Sequence, residues 1–166
     1  MLIAALCAAP IVLGSAAYYY GWGTGKRSNY GELLAPRRLS APALATLHGK
    51  WVLVTFDGAA CDAYCERKLY LIRQIRRGQG AGEVRIERLW FITDGGNVRP
   101  ELLAAIEGTH IARANEALLA AFPGRAVDHV YLVDPLGNLM MRFPRDPDPS
   151  AMAKDLERLL KYSRFG

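Results

Sequence analysis

Two cysteines four residues apart follow a strand-like run, and this arrangement constrains the fold more than any other feature of the sequence. The run Trp51–Phe56 is rich in β-branched and aromatic residues, which predicts a buried strand. Asp57–Ala60 then predicts a turn, and the next pattern predicts a helix from about Cys61 to Arg77. Cys61 and Cys65 are therefore predicted at a strand-to-helix junction, with both thiols on one helix face.

The cysteine pair can carry out one of two kinds of chemistry. Free N–H groups and the positive dipole end at a helix start stabilise a thiolate, which favours reactivity at Cys61. A structural disulfide usually closes a long loop, whereas a bridge from Cys61 to Cys65 closes a loop of a few residues and adds little stability. The spacing therefore favours function, either thiol–disulfide exchange or binding of a soft metal ion such as Cu(I).

The downstream pattern predicts the fold class. The order β-α-β-α-β-β-α predicts an α/β, thioredoxin-like three-layer fold, in which helices cover both faces of a mixed sheet. Reactive groups of such sheets gather beyond the carboxyl ends of the strands, where Cys61 would lie. The predicted elements are a strand over Val84–Ile92, helices from Pro100 to about Glu107 and from Ala114 to Ala121, a hairpin of His129–Val133 and Asn138–Phe143, and a last helix capped by Asp148.

Three histidines could complete a metal site. Two sulfur atoms alone are a poor site for Cu(II), so a histidine is expected as a further ligand. His129 begins the third predicted strand, beside the cysteine junction, and is a candidate metal ligand or thiol neighbour. The alternative is a hydrogen-bonded histidine at a strand start. His110 is predicted in a loop between helices and His48 at the surface before the first strand.

Carboxylates are also predicted near the cysteine junction. Asp94 ends the second strand, as a site residue would, but an Asp before two glycines equally indicates a turn. Tyr64 and Tyr70 are interpreted as packing residues. The carboxylates near the predicted site are Asp57, Asp62 and Asp94.

The N-terminal residues predict a membrane segment. Leu2 to Tyr20 contains no charged residue, and such a length can span a bilayer. The predicted organisation is a transmembrane anchor or uncleaved signal over 1–22, an extended tether rich in Gly, Pro and Ser over 23–45, and a thioredoxin-like domain over 46–166. A cleaved signal peptide is the alternative, because Gly14–Ala17 offers small residues for processing.

Charge argues against one class of partner. The formal net charge of +5 comes partly from scattered arginines, such as Arg73, Arg76 and Arg77. These are interpreted as a solvated helix face and not as a site for an acidic partner. Basic and aromatic residues are not interleaved, so binding of nucleic acid is not expected.

Four segments resemble the Sco/SenC family. They are Trp51–Phe56, the Cys61-x-x-x-Cys65 motif, Leu89–Asp94 and Val127–Gly137, within a similarity that spans roughly residues 44–162. The resemblance implies a membrane-anchored, thioredoxin-fold protein that binds copper and assists assembly of cytochrome c oxidase. It implies Cys61, Cys65 and His129 as copper ligands, an oxidase subunit or another respiratory assembly factor as partner, and a single-pass protein whose domain faces the periplasmic, outer side. The positive-inside rule alone, applied to Lys26 and Arg27, would leave the domain in the cytoplasm.

The sequence differs from the family pattern at three positions. Asp62 and Glu66 stand where the family usually has proline, and Ala126 stands in the register of the family's ligand histidine. A divergent member of the family is therefore expected. Two alternatives stay open, namely a general membrane-bound thiol–disulfide oxidoreductase without copper and a non-catalytic assembly or scaffold protein.

Overall fold

A six-stranded mixed sheet forms the centre of the computed structural model, which describes residues 2–20 and 29–163. The strands are β1 (Glu32–Arg38), β2 (Trp51–Asp57), β3 (Ile86–Ile92), β4 (His110–Arg113), β5 (Tyr131–Val133) and β6 (Asn138–Arg142). The sheet order is β1-β6-β5-β2-β3-β4; β2, β3 and β4 run parallel and the other pairs antiparallel. This confirms the predicted mixed sheet.

Helices cover both faces of the sheet, as predicted. Successive side chains of β2 point to opposite faces, so Leu53 joins one apolar cluster and Val54 the other. The helices are α1 (Leu2–Tyr19), α2 (Pro42–Ala45), α3 (Ala63–Arg77), α4 (Pro100–Ala105), α5 (Glu116–Ala120) and α6 (Pro149–Tyr162). The first cluster packs under α3, α4 and α6, and the second under α2 and α5.

Helix α3 places the cysteine segment against the sheet. Its predicted inner residues Leu69, Ile72 and Ile75 are all buried. Burying such large aliphatic side chains contributes about 1.5–3 kcal/mol each. The helix begins at Ala63, two residues later than predicted, because Asp62 is its N-cap. The apolar stripe therefore holds α3 against the sheet, and the capping side chain of Asp62 fixes where the helix begins.

The two edge strands were not predicted from the sequence. β1 and β4 are largely exposed and β4 is also short, so neither carries the apolar pattern that marks a buried strand. β1 also contains Pro36, and its pairing with β6 shifts register between Leu33 and Arg37. The prediction of an extended tether over 23–45 is thus corrected for its later part, where β1 and α2 pack on the sheet; residues 23–28 lie outside the described range.

A helix, α1, occupies most of the predicted membrane segment. Within residues 2–20 and 29–163, no helix is both long enough and apolar enough to count as a membrane span. The predicted transmembrane helix is not confirmed.

Candidate functional site

Cys61 and Cys65 form a disulfide at the junction of β2 and α3. Their Cα atoms are 5.2 Å apart. Cys61 has a φ of 46°, a left-handed conformation that is uncommon for any residue other than glycine. Such a backbone conformation costs about 1–3 kcal/mol and is typical of functional sites. The junction thus holds the two sulfur atoms together in a loop whose conformation is itself unfavourable.

The disulfide is covered by protein. Cys61 is 4% exposed and Cys65 is 1% exposed, and both belong to the apolar cluster under α3. Both cysteines are therefore covered, although the neighbouring residues Ala60 and Asp62 are exposed. A partner can reach Cys61 only after a local opening of this loop. Cys61 precedes the helix and is the more accessible of the two.

Asp62 occupies the helix N-terminus that was expected to face the Cys61 thiolate. Its carboxylate accepts hydrogen bonds from the backbone N–H groups of Tyr64 (3.0 Å) and Cys65 (2.9 Å). These two N–H groups belong to the first helical turn, where the backbone offers them no acceptor within the helix. The N–H groups that were expected to stabilise a Cys61 thiolate are therefore already hydrogen-bonded to the Asp62 carboxylate.

Asp94 and Arg99 hold the loop that leads to Cys61. The Asp94 carboxylate accepts from the N–H groups of Ala59 (3.1 Å) and Gly96 (2.9 Å), and these hydrogen bonds lower the pKa of Asp94. The Arg99 guanidinium donates to the carbonyl of Ala60 (2.6 Å) and to that of Cys61 (3.3 Å). Asp94 thus fulfils both interpretations of the sequence, since it forms a turn and also positions the cysteine loop.

A buried ion pair lies beside the cysteine segment. Lys68 Nζ is 2.7 Å from Asp57 Oδ2, and the side chains are 3% and 13% exposed. Lys68 also donates to the carbonyls of Phe56 (3.2 Å) and Val127. Burial raises the pKa of Asp57 to about 6 despite the opposing effect of Lys68, and burial lowers the pKa of Lys68. The pair ties α3 to the end of β2 and to the segment before β5.

Lys68 is the site residue that sequence reasoning missed. It stands three residues after Cys65 and next to Leu69, so it falls on the inner face of α3. A lysine within an apolar helical stripe was the available signal. Its acceptor Val127 follows Ala126, the position where the Sco resemblance would require the ligand histidine.

The predicted histidine ligand has a different environment. His129 is half-buried, and its Nδ1 donates to the carbonyl of Phe143 at 2.9 Å. That hydrogen bond leaves Nε2 with the lone pair, as in many metal-ligating histidines. Across residues 2–20 and 29–163, however, no group of three or more His, Cys, Asp and Glu side chains could hold a metal ion. The predicted set of Cys61, Cys65 and His129 is not gathered in the disulfide form.

The other two histidines lie away from the cysteines. His110 is on the edge strand β4, and its Nε2 is 3.4 Å from Glu87 Oε2. His48 is exposed in the turn before β2, as expected. Neither residue contributes to the arrangement around Cys61.

A groove of about 960 Å³ runs beside the cysteine segment, between α3, α4 and the loop before α6. Tyr64 lies at the cysteine end of the groove and donates to the carbonyls of Asp128 (2.9 Å) and Arg145 (2.5 Å). Tyr70, which is 63% exposed, lies further along α3. Tyr64 is therefore held by hydrogen bonds of its hydroxyl group at the groove, and the packing interpretation is wrong for Tyr70, which presents its ring to solvent.

Known proteins share this architecture. The family model described as "Transmembrane-like, thioredoxin-like, C-terminal domain" matches residues 51–163. Among proteins with curated functions, none matches the sequence significantly.

Solved structures of Sco proteins resemble the chain in fold. ScoI of Bradyrhizobium japonicum with copper bound shares 20% identity with a TM-score of 0.53, over 69% of this chain and 87% of that one. Yeast Sco1 with copper bound shares 14% identity with a TM-score of 0.59, over 81% and 90%. BsSco, a member of the Sco family of cytochrome c oxidase assembly proteins with an identified disulfide switch, shares 14% identity with a TM-score of 0.52, over 81% and 96%. At these identities the likeness concerns the fold, and it confirms the fold that the Sco resemblance implied.

Proposed function

The chain belongs to the family of transmembrane-like, thioredoxin-like C-terminal domains, and on this premise we propose that Cys61 and Cys65 act as a dithiol–disulfide couple. The observation that carries the proposal is the disulfide at the junction of β2 and α3. A bridge between residues i and i+4 stabilises the folded chain little, so a purely structural function does not account for it.

The reduced protein would transfer two electrons to a partner disulfide. The Cys61 thiolate attacks one partner sulfur, which forms a mixed disulfide and releases the second partner sulfur as a thiolate. The Cys65 thiolate then attacks Cys61, which restores the Cys61–Cys65 bond and releases the first partner sulfur. Two protons, lost by the two cysteines, are taken up by the partner thiolates. A dithiol reductant of the thioredoxin class must reduce Cys61–Cys65 again.

The order of attack follows from accessibility. Cys61 lies in the loop before the helix, whereas Cys65 lies within the first turn and its N–H is bound by Asp62. Local opening of the loop held by Asp94 and Arg99 would expose Cys61 first. The groove beside the cysteines, with the exposed ring of Tyr70, would receive the partner segment that carries the disulfide.

The finer part of the proposal concerns the partner. The sequence resemblance to Sco proteins, together with the common fold, supports a role in cytochrome c oxidase assembly, with the cysteines of a copper-binding oxidase subunit as substrate. The uncharged segment Leu2 to Tyr20 supports membrane attachment. The Sco resemblance and the thiol chemistry of Cys61 and Cys65 support a domain on the periplasmic side, against the positive-inside rule taken alone. Fractionation of cells that express the full chain, with protease access from the outer side, tests this arrangement.

A second candidate function is binding of Cu(I) as cargo. Soft thiolates select Cu(I), and the copper-bound Sco structures favour this chemistry for the reduced pair. The disulfide form cannot bind copper through these sulfur atoms, and His129 is hydrogen-bonded to Phe143. Copper binding therefore requires reduction first, so the redox couple is common to both functions.

Trapping experiments test the redox proposal. We expect Cys65→Ser, in its reduced form, to accumulate a mixed disulfide with a partner that carries two cysteines in a bridge. Cys61→Ser should accumulate far less, because Cys65 is covered. Equal trapping by both variants, or by neither, would contradict the assigned order of attack.

Anaerobic titration with Cu(I) tests the second function. We expect the reduced wild-type protein to bind Cu(I) and the Cys61→Ser/Cys65→Ser variant to bind none. A weaker affinity in His129→Ala would identify His129 as the third ligand. If the protein exchanges disulfides but shows no thiol-dependent binding of Cu(I), the second function is wrong and only thiol–disulfide exchange stands.

A further inference from the structure

A small cavity at the other end of α3 is lined by four arginines. Its volume is about 280 Å³, and it lies between the end of α3, strand β3 and the residues that follow α4. From Cys65 to Arg77 the helix advances about 18 Å, so the cavity is well separated from the disulfide. The lining residues are Arg73, Arg76, Arg77, Glu83, Arg88, Glu107 and Gly108.

Arg88 is the unusual member of this group. The residue is only 3% exposed, although arginine is almost never fully buried without a partner. Its Nη2 donates to the carbonyl of Glu107 at 2.7 Å. Its Nε and Nη1 are buried and have no hydrogen-bond partner in the part of the chain that the structure describes. A buried charged donor without an acceptor destabilises the folded state, so an acceptor that enters the cavity would relieve that penalty.

The neighbouring guanidinium groups add to the positive charge. Burial and the charges of Arg76, Arg73 and Arg77 all lower the pKa of Arg88, which shows that its environment disfavours a cation. The helix dipole accounts for Arg76 and Arg77 in the last turn of α3. The dipole does not account for Arg88, which lies on β3 under that turn.

The charge balance of the cavity defines the ligand that fits it. Four arginines and two glutamates, Glu83 and Glu107, line the cavity, so two positive formal charges are in excess among its lining residues. Outside the lining, the charge of Glu87 partly offsets the effect of the arginines on Arg88. Glu83 is already paired with Arg76 at 2.8 Å. A phosphate group carries about −1.5 to −2 charges near pH 7 and offers several acceptor oxygens. Guanidinium groups bind carboxylates and phosphates alike through paired hydrogen bonds, but the charge of a phosphate matches the excess of two positive charges better than the single charge of a carboxylate does.

We propose that this cavity, with Arg88 at its base and Arg73 and Arg77 beside it, binds a phosphate group. The chemistry is common to a free phosphate ion and to the headgroup of a phosphomonoester lipid. The cavity is independent of the Cys61–Cys65 couple, so binding should persist whether the disulfide is intact or reduced.

The test measures binding of inorganic phosphate to the full chain by calorimetry, with sodium chloride used to match ionic strength. We expect Arg88→Gln to weaken phosphate binding roughly tenfold, because it removes a charged hydrogen-bond donor. Arg77→Gln should weaken phosphate binding roughly threefold. Because Arg77 is exposed, this variant should fold normally, and it therefore tests the proposal even if Arg88→Gln fails to fold. The control Lys154→Gln removes one positive charge from an exposed position of α6 outside the cavity.

A second arm distinguishes the two sources of phosphate. Vesicles of phosphatidylcholine are compared with vesicles that also contain phosphatidate, for the wild type and the same variants. Phosphate binding that is lost in the arginine variants supports the free ion as ligand. A preference for phosphatidate vesicles that is lost in those variants, without binding of free phosphate, supports the lipid headgroup. Absence of both, or equal effects in Lys154→Gln, would overturn the proposal.

Discussion

Replacement of Lys68 by methionine tests whether the buried ion pair stabilises the junction beside the cysteines. Methionine keeps most of the aliphatic length of the side chain and removes its charge. Asp57 would then lose the ammonium group of Lys68, which lies 2.7 Å from its carboxylate. The site is buried, since the Lys68 side chain is only 3% exposed. An uncompensated buried carboxylate results, and the segment before β5 also loses the hydrogen bond to Val127.

The expected loss of stability is large. Removal of one member of a buried ion pair typically costs about 3–5 kcal/mol, out of a total of about 5–15 kcal/mol for a domain. The loss should also depend on pH. Burial already raises the pKa of Asp57 to about 6, and the hydrogen bond and charge of Lys68 are what lower it. Without Lys68, the pKa of Asp57 rises further.

The sign of the pH dependence follows from proton binding. Above the unfolded Asp pKa of about 4, the folded variant holds a proton on Asp57 that the unfolded chain has released. Stability therefore falls as pH rises through the raised folded pKa. We expect the difference in unfolding free energy between the variant and the wild type to be smaller near pH 5 than near pH 8.

Urea unfolding of the disulfide form, followed by circular dichroism at both pH values, measures this difference. The exposed Lys154→Met is the matched control and should change the unfolding free energy by less than about 0.5 kcal/mol. The double variant Asp57→Asn/Lys68→Met should regain most of the loss and its pH dependence should disappear. An equal deficit at both pH values, or a double variant as unstable as Lys68→Met, would refute the reasoning.

Two further predictions concern the loop that carries Cys61. Arg99→Ala removes hydrogen bonds to the carbonyls of Ala60 and Cys61, so we expect dithiothreitol to reduce the disulfide roughly tenfold faster. Thiol labelling measures the reduction rate, with Lys154→Ala as the control. An unchanged rate in Arg99→Ala would show that Arg99 does not hold the loop closed. Hydrogen bonds lower the pKa of Asp94, so its stabilising contribution is present above the unfolded Asp pKa and is lost as pH falls through the folded value. Asp94→Asn should therefore weaken the acid dependence of thermal unfolding, and an identical dependence in the variant would contradict this.

The central part of the fold was predictable because its pattern is local. Trp51–Phe56 reads as a buried strand since both faces of β2 are covered, and the inner stripe of α3 follows from its helical spacing. Asp148 and Pro149 mark the start of α6, and the Asp148 carboxylate does accept from the N–H of Ala151 at 2.6 Å. The position of Cys61 and Cys65 at a strand-to-helix junction was predictable because β2 and α3 on either side of them both have clear local patterns.

The edge strands and the buried charges could not be predicted in the same way. β1 and β4 owe their conformation to pairing with β6 and β3, which is information from distant parts of the chain. Lys68 and Arg88 follow other charged residues in the sequence, so their immediate neighbours do not mark them as buried, and their burial depends on carbonyl acceptors that the tertiary structure supplies. The burial of Cys61 also depends on a distant part of the chain, because Asp94 holds the conformation of the loop that leads to it.

The reduction potential of the Cys61–Cys65 disulfide tests the redox proposal most directly. The full chain is equilibrated with glutathione buffers of graded potential, or with dithiothreitol at the reducing end, and the thiols are counted by mass after alkylation. A working couple should show one reversible two-electron transition at a potential above about −300 mV. A disulfide that stays oxidised to well below that value would be a structural link, and the proposed function would be wrong.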